Sequence, residues 1–508
     1  MKKTLLIILA FIMLTVAFSG CNGEKASDGS VTEIRLFNRV NPEVQYDSDN
    51  DWVKAIEKAA NVKLEIEAPA PSSYMDKLQL VMASGDIPDI IYMFRTDNNY
   101  DTWAKNGLLM PLDEEIDKYP NIKANISKEM WELVRAPSTG KISSVPKPNI
   151  SSYWGYVVNK KWLDALSMKA PETTEEFYEL AKAVAEKDPD GNGKKDTYIL
   201  SPSGSGLAGA SVWDEYFLMS AFNVHNTANR ADIDGQYKPR EKFEGYYPYL
   251  TFMRKLYGEK LIDPEFFINK TGECSEKFLQ NKIAVISGHD GNAKGFFGKA
   301  PDETVINDYV YCPLLKNESG ESIFYNPPSI WGSWAVSKDS LVSEAALKLL
   351  DFGNSEEGVR LMNIGEKDIH YTSYDPKTKE LIRTPEQSEK CRADLSSYVP
   401  FSVTYKGEPA YISLCDTREK LNKYTGELEK YLSVTKVLNV PSVVSPLTIE
   451  LTSKEPDLYK KRDQLEIQYV TGEISLDELK NFIENTFLPK TAEADKEFSV
   501  LMQKAAGN

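Results

Sequence analysis

Val31-Thr-Glu-Ile-Arg-Leu-Phe37, Val62-Lys-Leu-Glu-Ile66 and Ile87-Pro-Asp-Ile-Ile-Tyr-Met93 are the stretches whose spacing decides the fold. The first two alternate apolar and polar residues, the period of a half-buried strand, and the third reads as a buried strand. Between them, Asp51 to Ala60 reads as a helix, and Ser73 to Ser84 as a second with Leu78, Val81 and Met82 at helical spacing. Strand, helix, strand, helix, strand in this order predicts an α/β sheet with right-handed crossovers.

Further strands are predicted at Tyr153 to Val158, Ile283 to Ser287 and Trp334 to Val336. Thr173 with Glu176 forms a capping box that starts a helix through Phe177, Leu180 and Val184. Ser343 to Phe352 is a strongly apolar helix, and the C-terminal quarter is mainly helical, with Ser475 capping Leu476 to Phe487. Nothing repeats at 20–50 residues, so repeat architectures are not indicated.

Ligands bind beyond the carboxyl ends of strands in open α/β sheets. That rule picks Asn38 and Arg39 after the first strand, Phe94 and Arg95 after the third, and His289 and Asp290 after Ile283 to Ser287. Trp154, Trp213, Trp331 and Trp334 stand in loop-like contexts and are candidate stacking platforms, with core packing the alternative for each. Trp162 sits within a helical segment and reads as core.

Upstream, Lys2 and Lys3 precede an apolar run from Leu5 to Phe18, and Ser19-Gly20 leads into Cys21. The run is too short for a spanning helix, which needs about 20 residues, and fits a secretory leader over residues 1–20. The junction resembles a bacterial lipobox, in which Cys21 would carry the lipid. Residues 21–30 (CNGEKASDGS) then read as a flexible tether. The expected product is extracytoplasmic and anchored by lipid to the cell membrane.

The 508 residues carry a formal net charge of −16, which argues against nucleic acid as a partner. Tyr (27) and Trp (8) are plentiful; much of this is expected in the core, and the other use of such aromatics is a carbohydrate site, where sugar rings stack their C–H faces on aromatic planes. Cys274, Cys312, Cys391 and Cys415 show no Cys-x-x-Cys spacing; they allow three disulfide pairings or buried thiols. Three scattered histidines give no zinc motif and little support for acyl transfer.

The sharpest chemical motif is Asp188-Pro-Asp190-Gly-Asn192-Gly-Lys194-Lys-Asp196. Oxygen donors at positions 1, 3, 5 and 9, with the Lys194 carbonyl at 7, match a calcium loop of EF-hand type. Gly193 at position 6 permits the sharp turn. Position 12 is Ile199, so the bidentate glutamate is missing; water or a remote carboxylate must substitute. Structural calcium is the expectation, and an Asx-rich turn capping the preceding helix the alternative.

Several segments together resemble a known family. Ser84-Gly-Asp-Ile-Pro-Asp-Ile90, Gly107-Leu-Leu-Met-Pro-Leu112, Asn159 to Asp164 with Pro171 to Phe177, Ala345 to Gly365, and Thr471 to Ile474 follow one another as in family 1 solute-binding proteins. The branch resembled is that of large lipoproteins serving carbohydrate ABC transporters. The resemblance implies an α/β, two-lobed periplasmic-binding-protein fold of the type 2 class, with a ligand cleft between lobes joined by crossing segments. Lobe one would take residues 31–145 and 325–395, and lobe two 150–320 and 396–508 with the calcium loop.

It also implies a monomer that delivers an oligosaccharide to permease subunits without catalysis. Rival readings are a surface-anchored glycoside hydrolase or lyase, and a peptide receptor of the same fold. Arg39 and Arg95 would favour an acidic sugar, because arginine pairs bidentately with carboxylates, but a neutral glycan is the prior expectation, since arginine also donates to hydroxyls.

Overall fold

The computed structural model describes the chain except residues 1–30, 39–48, 95–98, 150–153, 203–215, 225–237, 270–272, 290–307, 327–328, 378–379, 396–399, 403, 407, 410–417, 441–442 and 506–508. The opening pattern folds as its periods dictate: β1 (Thr32–Phe37), α1 (Asp51–Ala60), β2 (Val62–Glu67), α2 (Pro71–Ser84) and β3 (Ile90–Phe94). β1 pairs in parallel with β2 on one side and β3 on the other. The Asn50 side chain caps α1 by accepting from the N–H groups of Trp52 and Val53, and Asn61 ends it in a left-handed conformation. Trp52, Val53, Ala55 and Ile56 form its buried face.

Two antiparallel strands complete this sheet, Ser329–Val336 against β3 and Val145–Asn149 at the edge. Pro146 and Pro148 are tolerated because an edge strand has one unpaired side. The helices Ser343–Gly353 and Glu356–Ile364 add Leu347, Leu350 and Met362 to a core built on Ile34, Leu36, Ile91 and Trp334.

A second core surrounds strand Trp154–Asn159, which lies between Val285–His289 and Tyr309–Cys312, both antiparallel to it. Tyr156, Phe177, Phe217 and Tyr249 fill it, and Trp162 is buried there as expected of a core residue. At Thr173 the hydroxyl accepts from Glu176 N–H, but the Glu176 carboxylate returns to Glu172 N–H, so the box closes one residue early. Ser475 and Glu478 form the reciprocal box in full.

C-terminal helices Pro456–Thr471 and Leu476–Phe482 bring Tyr469, Val470 and Leu479 into the second core. A buried ion network fastens them: Arg240 reaches Glu466 at 3.2 Å, and Arg462 reaches Glu241 at 3.0 Å and Asp463 at 2.9 Å. Cys274, Cys312 and Cys391 are buried, and burial pushes the Cys312 thiol up to about 12.

The lobe boundaries differ from those expected of the sequence. Strand Ser322–Asn326 pairs with Thr435–Asn439, and Phe324 lies in the second core, so lobe two runs to Asn326 rather than 320. Phe401 packs in the first core, 5.0 Å from Trp334. Asn125 Nδ2 donates to Thr404 O at 2.8 Å, and Lys406 N–H donates to Asn125 Oδ1 at 2.8 Å. Lobe one therefore reaches Lys406, eleven residues past its expected end at 395.

Candidate functional site: the cleft edge and the Asp188–Asp196 loop

The chain passes from lobe one to lobe two after Asn149 and returns before Ser329, and these two residues are paired on neighbouring strands. β1 and β3 end on the same side: Phe94 is opposite Gly332, three residues from Ser329. The carboxyl ends of the parallel strands and these two crossings thus share one edge of the lobe-one sheet, and a third crossing follows Lys406. On the lobe-two side, Trp154 opens its strand opposite His289. An open α/β sheet places its ligands beyond such an edge.

Of the residues picked from sequence, Trp154, His289 and Trp331 lie at this crossing by strand position. Trp154 is half-buried, and its carbonyl accepts the Tyr431 hydroxyl at 2.8 Å. Arg39, Arg95, Trp213 and Asp290 lie outside the described residues, as does Cys21. Asn38 stands at the end of β1 but is only 5% exposed, and its N–H extends the ladder to Glu67 O.

Trp334 is a correction: it is fully buried in lobe one, 4.9 Å from the Tyr92 ring, and offers no face to a sugar. Its strand is eight residues long, not three, and residue 334 points into the core.

Lys147 was missed. It pairs with Gly332 near the crossing, and its ammonium lies 5.8 Å from the Tyr92 ring centre. The available signal was Pro146-Lys-Pro148, which marks an edge strand beside a connection.

The Asp188–Asp196 loop follows helix Thr174–Glu186. Gly193 takes φ +79°, as the sixth position of the motif demands. Gly193 N–H donates to Asp188 at 2.8 Å, and that bond leads in holding the Asp188 carboxyl below the usual carboxylate range. Burial, reinforced by nearby Asp188, pushes Asp190 up. The Asn192 amide donates to Asp190 at 2.8 Å and Asp196 at 3.0 Å, drawing two carboxylates towards one point.

Among the described residues, no three of His, Cys, Asp and Glu converge as a ready metal cage. The donors are nevertheless all oxygen, which suits a hard cation. Ile199 is buried and Thr197 spends its hydroxyl proton on Val184 O, so neither serves as the missing carboxylate. A cavity of about 510 Å3 instead brings Asp190, Asn192 and Asp196 into the same lining as Glu265. Asp263 lines it too, but is paired with Lys277 and Ser201, both at 2.5 Å.

A family model described as bacterial extracellular solute-binding protein matches residues 42–360. Among relatives, lipoprotein LipO of Bacillus subtilis (strain 168) is 28% identical over 75% of this chain and 77% of its own length. The polygalacturonan/rhamnogalacturonan-binding protein YtcQ of the same organism is 26% identical over 83% of this chain and 86% of its own. The S. pneumoniae ABC-transporter substrate-binding protein FusA, solved with kestose, superposes with a TM-score of 0.71 at 19% identity, covering 94% of this chain and 100% of that one. An EF-hand mutant of FusA, solved with fructo-nystose, gives the same TM-score of 0.71 at 20% identity over 94% of this chain and 100% of that one. At these identities the superpositions establish the two-lobed fold.

Proposed function

We propose that this chain, which belongs to the family of bacterial extracellular solute-binding proteins, captures an oligosaccharide between its lobes and hands it to the permease of an ABC importer. The family works outside the cytoplasm and binds without turnover, so the chain is a receptor and not an enzyme. The observation that carries the reading is the shared edge: two of the three crossings, at the Asn149–Ser329 pair, lie on the same edge of the sheet as the carboxyl ends of β1 and β3. Closing one lobe on the other about that edge buries whatever lies against it.

An oligosaccharide is favoured by the glycans named for YtcQ and FusA. YtcQ's name further favours a uronate-containing chain, for which Lys147 and the arginines after β1 and β3 supply positive charge in an acidic protein. Cys21 carries the lipid that holds the receptor at the membrane, a reading supported by the name of LipO. The Asp188–Asp196 loop holds a structural calcium ion. Asp188, Asp190, Asn192, Asp196 and the Lys194 carbonyl donate, with Glu265 as the remote carboxylate. The ion would supply charge neutralisation and would lock the loop of lobe two.

Thermal-shift screening of the mature chain against neutral and uronate oligosaccharides tests the reading. A ligand at about 100 times its Kd should add about 2.7 kcal/mol of stability. A complete glycan library that leaves the melt unmoved, beside a peptide that raises it, would replace the sugar with a peptide.

A further inference from the structure

The pairing of strand Ser329–Val336 with Val145–Asn149 is broken by a bulge. Ile330 faces Pro148 and Gly332 faces Lys147, so Trp331 is an extra residue with no opposite partner on that strand. On its other side the strand pairs with β3 without interruption from Gly332 to Val336. The bulge therefore sits next to the Asn149–Ser329 pair, where two of the three crossings leave lobe one. A bulge bends its strand and increases the local twist, which sets the direction in which the chain departs.

Gly332 is what gives the bulge room. A Cβ there would lie 2.6 Å from the Tyr92 hydroxyl oxygen and closer still to the Met93 carbonyl oxygen. Neither yields cheaply. Met93 O belongs to the backbone of a central strand, and Tyr92 is buried with its ring against Trp334. The Tyr74 hydroxyl, bonded to Tyr92 O at 2.5 Å, fixes the β3 backbone further. Gly332 is not among the glycines with positive φ, so the position demands space rather than backbone freedom. Any side chain at 332 must push the strand off β3 at the bulge.

We propose that Gly332 is a positioning residue for the ligand cleft: by lacking a side chain it seats the bulge that fixes how two of the three crossings leave lobe one, and with them the resting separation of the lobes. The inference rests on the two-lobed receptor reading, but its test needs no ligand. Spin labels at Lys128→Cys in lobe one and Lys187→Cys in lobe two, both exposed, report interlobe distance by double electron–electron resonance. The background carries Cys21→Ser and Cys415→Ser.

Gly332→Ala should shift the distance maximum by several ångströms, because a small displacement at a hinge is amplified across a lobe. Adding Tyr92→Phe removes the hydroxyl clash and should return the distance part of the way, leaving as residual obstacles the Met93 carbonyl and the ring carbon Cζ, 2.7 Å from the Cβ. Parent-like distances in a folded Gly332→Ala protein would overturn the proposal. So would failure of both variants to fold, which would make Gly332 a packing glycine and nothing more. A thermal-shift screen without a hit bears on the ligand and leaves the distance result standing.

Discussion

Asp495 gives the account a sharp energetic test. It lies on the C-terminal helix Leu488–Ala505, where it accepts the Thr491 hydroxyl at 3.0 Å. Burial pushes its carboxyl up to about 6 from an ordinary value of 3.8. At about 1.4 kcal/mol per pH unit this amounts to roughly 3 kcal/mol between protonation states. Part of the carboxyl still meets water, and screening brings the expected effect to about 1–2 kcal/mol.

The folded pKa lies above the unfolded one, so the contribution is fully present below pH 3.8 and is lost as pH rises through about 6. Asp495→Asn keeps an acceptor for Thr491 and never ionises. Urea denaturation should find the variant about 1–2 kcal/mol more stable than the parent at pH 7.5. Near pH 4 the two should nearly coincide. An equal gain at both pH values, or a loss at pH 7.5, would refute burial of the carboxylate as the cause.

Asn125→Ala should cost about 2–4 kcal/mol in the same assay, because Thr404 O and Lys406 N–H would both lose buried partners; a change within about 0.5 kcal/mol would detach residues 401–406 from lobe one. Removing calcium with EGTA should lower the melting temperature, Asp190→Ala should abolish that response, and Glu265→Gln should weaken calcium binding measured by calorimetry. A calcium response that survives in Asp190→Ala would place the ion elsewhere, and an unchanged Glu265→Gln affinity would remove only the remote carboxylate. Cys21→Ala should release the chain from the membrane fraction into the medium; retention equal to the parent's would put the anchor elsewhere.

The three parallel strands were legible because β1 and β2 keep a strict period of two, and β3 is a compact apolar run flanked by Pro88 and Asp89. Trp334 was misread for a definite reason. The extra residue at 331 and the bare Gly332 break the alternation, so an eight-residue strand looked like three residues beside a loop. The strand beside it, Val145–Asn149, has proline or lysine at three of its five positions and no strand signature of its own.

The boundary at 396 failed because what holds residues 401–406 is non-local: Asn125 bonds Thr404 across 279 positions of sequence. The ion network of Arg240, Glu241, Arg462 and Glu466 was equally invisible, since charged residues read as surface until their partners are in place. The loop at Asp188 was legible because its spacing is local, whereas Glu265 enters from a separate segment of chain.

The central claim is capture of an oligosaccharide without turnover. Its most direct measurement is calorimetric titration of the mature chain with the glycan that stabilises it most, followed by chromatography of the recovered sugar after prolonged incubation. A receptor gives saturable one-to-one binding and returns the glycan at its original length. Shorter chains or unsaturated ends in the recovered sugar would contradict the claim and make the protein an enzyme.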